Sequence, residues 1–85
     1  VGDVCGQTRR CLEIIAKALA DAGSSLEHVT RTRIILTDIG LWKDAARAHA
    51  EAFATIRPVT TLMQVTAFVD PDWLVEIEAE AVIPD

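Results

Sequence analysis

Eighty-five residues of which 51% are hydrophobic, at a mean hydropathy of +0.27, describe one globular domain and leave no room for a second, because disordered chains are poorer in apolar residues. A net charge of −5 repels phosphate backbones and anionic lipid, so neither nucleic acid nor a membrane surface is expected as a partner. A domain of this size buries only roughly 60–65% of the surface its unfolded chain exposes, and self-association is the simplest way to cover more.

Helical periodicity opens the chain. Val4, Thr8, Cys11, Leu12, Ile15, Leu19 and Ala22 recur at three- and four-residue steps, which predicts a helix over 4–22 with Asp3 as N-cap and Gly23 just beyond its end. The composition then turns β-branched, and alternation over 29–38 predicts a strand whose one face carries Arg31 and Arg33. Leu41, Trp42, Ala45, Ala46, His49 and Phe53 return to helical spacing, predicting a second helix over 41–56 that ends where Arg57 meets Pro58. Two strands are predicted over 60–69 and 74–83, and the Asp70-Pro71-Asp72-Trp73 stretch between them is a hairpin signal. The first of these strands is apolar on both faces, so both are expected to be covered. The last places Glu76, Glu78 and Glu80 opposite Val75, Ile77, Ala79 and Ala81.

The order is helix, strand, helix, strand, strand over a single domain, 1–85. The strand-helix-strand unit requires a crossover and hence two parallel strands. Both helices are expected on one sheet face, leaving the other apolar enough to pack against further copies of the chain. The chain starts with Val, and its helical pattern begins almost at once, so preceding residues are expected to be absent.

Cys5 and Cys11 stand six apart in a helical pattern, a poor geometry for a disulfide, and His28 and His49 are distant in sequence. No metal-ligand spacing emerges, and neither a metal nor a cofactor is expected. No stretch approaches the roughly 18–20 apolar residues of a bilayer span. A soluble protein of a reducing compartment, the cytoplasm, is the plain reading.

Three stretches carry a family resemblance: Gln7-Thr8-Arg9-Arg10-Cys11-Leu12 running to Gly23, the strand end Ile35-Leu36-Thr37-Asp38, and the tail Val75-Glu76-Ile77-Glu78-Ala79-Glu80-Ala81. Joined by Arg57-Pro58, Thr61 and the Val69-Asp70-Pro71 turn, they resemble the RidA/YjgF family, also known as endoribonuclease L-PSP-like. The resemblance implies a chorismate-mutase-like, two-layer α+β fold with a mixed sheet, assembled as a homotrimer with ligand clefts between subunits. The strands that family members carry ahead of the first helix are absent from this chain.

What the resemblance implies for activity is hydrolysis of reactive enamines and imines to ketoacids and ammonia, as in 2-iminobutanoate/2-iminopropanoate deaminases. That chemistry uses an arginine fork for the substrate carboxylate together with an activated water. In Pro58-Val59-Thr60-Thr61 the arginine's place falls to Thr60, whereas Glu76 matches the glutamate near the bound water and is the candidate catalytic residue. Ala46 and His49 stand where many members have asparagine and tyrosine. Thr60 and Thr61, with Arg31, Arg33 and Arg57 as sources of positive charge, form the candidate binding set for a small carboxylate-bearing metabolite. The alternative is a non-catalytic, small-molecule-binding member.

Plainer readings stand beside these. The glutamates form a solvated edge face, the arginines pair with neighbouring carboxylates, Cys11 is a small core hydrophobe, and His49 is a hydrogen-bonded interior or interface histidine. Trp42 and Trp73 serve as packing anchors.

Overall fold

The structure, a computed structural model, describes residues 3–83. The first helix, α1, runs Val4–Asp21 and buries Val4, Thr8 and Leu12, while Cys11, Ile15 and Leu19 pack at the margin of the core. Its C-terminus closes with two backbone bonds, Ser24 N–H to Leu19 O at 2.7 Å and Gly23 N–H to Ala20 O at 3.0 Å. This closure puts Gly23 at φ 82°, a conformation that glycine adopts without a Cβ penalty.

The strands are β1 (Val29–Leu36), β2 (Val59–Gln64) and β3 (Val75–Ala81), in the spatial order β2-β1-β3. Helix α2 (Trp42–Phe53) is the crossover between the parallel strands β1 and β2, entered through a turn in which the Asp38 carboxylate accepts from Gly40 N–H at 2.9 Å. Its exit places Arg57 at φ 52°, outside the α region that the following proline disfavours.

Alternation along β1 decides the layering. Thr32, Ile34 and Leu36 point to the helices and are 1%, 1% and 0% exposed. Ile34 and Leu36 form the core with Val4 and Leu12 from α1, Ala45 and Phe53 from α2, and Val75 and Ile77 from β3. Two helices thus lie on one face of a mixed three-stranded sheet, the expected α+β architecture.

Three expectations are corrected. The stretch 70–73 does turn, with Trp73 N–H bonded to Asp70 O at 3.1 Å, yet β2 and β3 form no hairpin: both pair with β1. Residues 65–74 are long enough to pass around the end of β1, where Thr37 N–H meets Leu74 O at 3.2 Å. The strand expected over 60–69 is Val59–Gln64, and as an edge strand it is exposed at five of its six positions instead of covered on both faces. Finally, the helix-free face is not a continuous apolar surface. Register sets Arg31 opposite Glu80 and Arg33 opposite Glu78, so this face carries two ion pairs, with Val59 and Met63 at its β2 side.

The central position of β1 makes its inward residues the most costly to shorten. Leu36→Ala, at a fully buried site, is expected to lower unfolding free energy by about 2–5 kcal/mol, whereas Leu62→Ala on the exposed edge strand should cost under about 1 kcal/mol. Urea unfolding of both variants measures the difference, and equal losses would contradict the assignment of β1 as the core strand.

Candidate functional site

Two regions collect the residues with chemistry. The first is a groove of about 640 Å³ between α1 and the outer edge of β3, lined chiefly by Ile14, Ile15, Trp73, Val75, Ile77 and Glu76. Its wall is fixed by Gln7, whose amide donates to Asp72 O at 3.0 Å and accepts from Leu74 N–H at 2.8 Å. Those two hydrogen bonds tie the segment ahead of β3 to α1 and hold Trp73, half exposed, at the groove. Cys11 also lines it, with Sγ 4.0 Å from Val75 O, and burial pushes its thiol up, followed in effect by the negative charge of Glu76. A thiol held protonated is a poor nucleophile, so Cys11 packs as a small hydrophobe.

The second region lies at the β2 edge, on the helix side of the sheet. Thr60 stands beside Thr32 in the parallel register, and their hydroxyls are 3.0 Å apart. Thr32 Oγ1 is in turn 2.8 Å from His49 Nε2, reaching down from α2. The imidazole packs at 4.6 Å between centroids on Phe53, and burial lowers its pKa below the ordinary histidine value. The expected role of His49 as a hydrogen-bonded interior residue therefore holds. Thr32 was not among the residues that the sequence singles out; its place in the alternation of β1 marks it as inward-facing, but nothing local shows that a histidine seventeen residues on would meet it.

The remaining candidates separate. Arg31 pairs with Glu80 at 3.7 Å and Arg33 with Glu78 at 3.3 Å on the helix-free face. Glu76 is on that face too, opposite Ile35, and Thr61 lies there across from Arg33. Arg57 is exposed at the end of the segment following α2. Thr60 and Glu76 are not brought together. β1 lies between their strands, their register partners Thr32 and Ile35 are three residues apart, and their side chains occupy opposite faces. Sheet spacings put them about 10 Å apart across the sheet and about 10 Å along it. Among the described residues no cluster of histidine, cysteine and carboxylates could hold a metal ion.

An α+β chain with this sheet order is matched over residues 1–83 by the family described as Endoribonuclease L-PSP, and the chain belongs to that family, the RidA/YjgF group. It is 41% identical over 95% of its length to 3-aminoacrylate deaminase RutC of Acinetobacter baylyi, covering 64% of that protein. Its fold matches the crystal structure of Rv2704 from Mycobacterium tuberculosis, a YjgF/YER057c/UK114 family member, at a TM-score of 0.94 and 49% identity over 98% of this chain and 71% of that one. E. coli TdcF with bound serine matches at a TM-score of 0.90 and 25% identity, over 99% of this chain and 68% of that one. The chain spans 60% and 64% of the lengths of two curated relatives that it resembles.

Burial of His49 has a consequence for acid stability. Because its folded pKa lies below the unfolded value of about 6.5, the unfolded chain binds more protons in the acid range. The stability associated with neutral His49 is fully present above that pH and is lost as pH falls from about 6.5 toward the folded value. Urea midpoints at pH 7.5, 6.5 and 5.5 should therefore decline on acidification, and less steeply in His49→Gln. Parallel profiles for the two proteins would contradict a buried neutral imidazole.

Proposed function

We propose that the chain forms a homotrimer with a small-molecule cleft between subunits, in which Glu76 of one copy faces Thr60 and Thr61 of a neighbour. The observation carrying this reading is the separation of Thr60 from Glu76 by a strand and a sheet face: residues that the family resemblance assigns to one site can meet only across a subunit boundary. The serine named for TdcF and the deaminase activity named for RutC support a small nitrogen-bearing ligand. A carboxylate on that ligand would need a cation, and Arg31 and Arg33 are already engaged by Glu80 and Glu78. Arg57, without an ion pair among the described residues and next to Pro58, is the remaining source from the candidate set.

Two functions fit such a cleft. In a deaminase, Glu76 would take a proton from the water that adds to the imine carbon and return it to the nitrogen, so that the C–N bond breaks, ammonia leaves and the added oxygen becomes the carbonyl. In a binding protein the same cleft would hold the ligand without turnover. The second is favoured, because a threonine hydroxyl cannot supply the bidentate positive grip of a guanidinium. The acidic balance of the chain, −5, also argues against RNA as substrate. We place the protein in the cytoplasm: Cys5 and Cys11 are free thiols, and among the described residues no helix is long and apolar enough to cross a membrane.

Light scattering should give three copies per particle, and a single well-folded subunit in dilute solution would remove the cleft. Ammonia release from enzymatically dehydrated serine or threonine is expected to stay at the buffer rate. Release above buffer that Glu76→Gln abolishes would establish the deaminase instead.

A further inference from the structure

The layer between sheet and helices is mostly apolar, yet besides Thr8, whose hydroxyl donates to Val4 O within α1, it contains Thr32 at 1% and His49 at 8% exposure. Thr32 and His49 would each carry a desolvation cost there without a partner, and they supply it to each other and onward to Thr60. Each hydroxyl in this chain has a single proton to give, so the direction of one bond fixes all the others. The chain ends at the carbonyl of Pro58, which only accepts, 3.3 Å from Thr60 Oγ1. With Thr60 donating to it, Thr32 donates to Thr60, and the bond to Thr32 comes from a proton on His49 Nε2, the tautomer this direction assigns. Were the direction reversed, Thr32 would donate to the ring and Thr60 to Thr32, leaving Thr60 with only lone pairs to offer outward.

The last bond is the weak one. At 3.3 Å it is long for a hydroxyl donor, whereas the two inner contacts at 3.0 and 2.8 Å lie within the ordinary hydrogen-bond range. Thr60 is exposed on the edge strand, so an oxygen arriving from outside can replace Pro58 O as its acceptor without disturbing the buried part of the relay. We propose that His49, acting through Thr32, is a positioning residue that holds the Thr60 hydroxyl as a hydrogen-bond donor for a carbonyl or carboxylate oxygen of the ligand, an inference that rests on the reading that Thr60 borders the cleft. The specificity follows from the polarity: at this point the site accepts an oxygen with lone pairs and rejects a group presenting only N–H.

Two measurements on the full-length protein test it. Nitrogen-15 spectra of the imidazoles near neutral pH should show the His49 proton on Nε2; a proton on Nδ1 alone would overturn the relay, whatever the ligand. Pyruvate, used as a small probe carrying both oxygen types, should perturb the amide signals of Thr60 and Thr61. Its affinity should fall about two- to tenfold in Thr60→Val and be restored in Thr60→Ser, with a smaller loss in Thr32→Val. Pyruvate bound at Thr60 with equal affinity by the wild type and Thr60→Val would overturn the donor role while leaving the cleft in place. No perturbation at Thr60 or Thr61 would remove the cleft reading and, with it, this inference.

Discussion

Strand β1 is hydrogen-bonded along both sides, to β2 in parallel and to β3 antiparallel, and nothing else in the fold could stand if it did not. Parallel pairing with β2 forces the chain to return to the same end of the sheet, which is what α2 does. Antiparallel pairing with β3 brings Glu78 and Glu80 opposite Arg33 and Arg31. The same alternation that sends those arginines one way sends Thr32, Ile34 and Leu36 under the helices. One strand's register thereby fixes the core, the charged face and the foot of the hydrogen-bond relay, since a one-residue slip would exchange the two faces.

Element types were legible because they rest on local periodicity. The stripe Val4, Thr8, Leu12 and the closure at Gly23 belong to a single helix and need no knowledge of its neighbours. Strand neighbours were less so. Asp70-Pro71-Asp72-Trp73 has turn chemistry and does turn, but turn chemistry alone does not say which strands the turn joins side by side; the length of 65–74 allowed β3 to reach the far side of β1. The nature of the helix-free face depended on the same unknown, because arginines on one strand and glutamates on another become a paired surface only in the right order and register. Of the candidate site residues, the arginines took the plainer reading for Arg31 and Arg33, and His49 did so as well. Its partner Thr32 belonged to a contact between elements that no spacing rule encodes.

The separation of Thr60 from Glu76 shapes what one chain can do. A sheet delivers side chains to two faces in strict alternation, so residues on opposite faces of different strands share a solvent pocket only if a second molecule folds one face against the other. The apolar groove beside β3 and the relay at β2 therefore lie on opposite edges of the sheet, β3 and β2 each having one side that β1 does not use. Exposed Val59 at 69%, beside Thr60, and Trp73 at 51%, at the groove, give both edges apolar surface that gains from being covered.

A hydroxyl in the place that the family resemblance gives to a guanidinium would change the kind of support a binding site requires. Arginine carries its charge at every accessible pH and needs only to be aimed. A threonine hydroxyl has no fixed polarity; it donates or accepts according to what already occupies its other bond. Thr60 and His49, two of the positions that the family resemblance sets apart from other members, are joined through Thr32 over bonds of 3.0 and 2.8 Å. A buried neutral imidazole is suited to that role, since it can present one N–H inward without placing a charge in the core, and burial keeps it neutral. In the proposed site these two positions are thus parts of one arrangement: where positive charge is not provided at the edge, the direction of a hydrogen bond is provided from within.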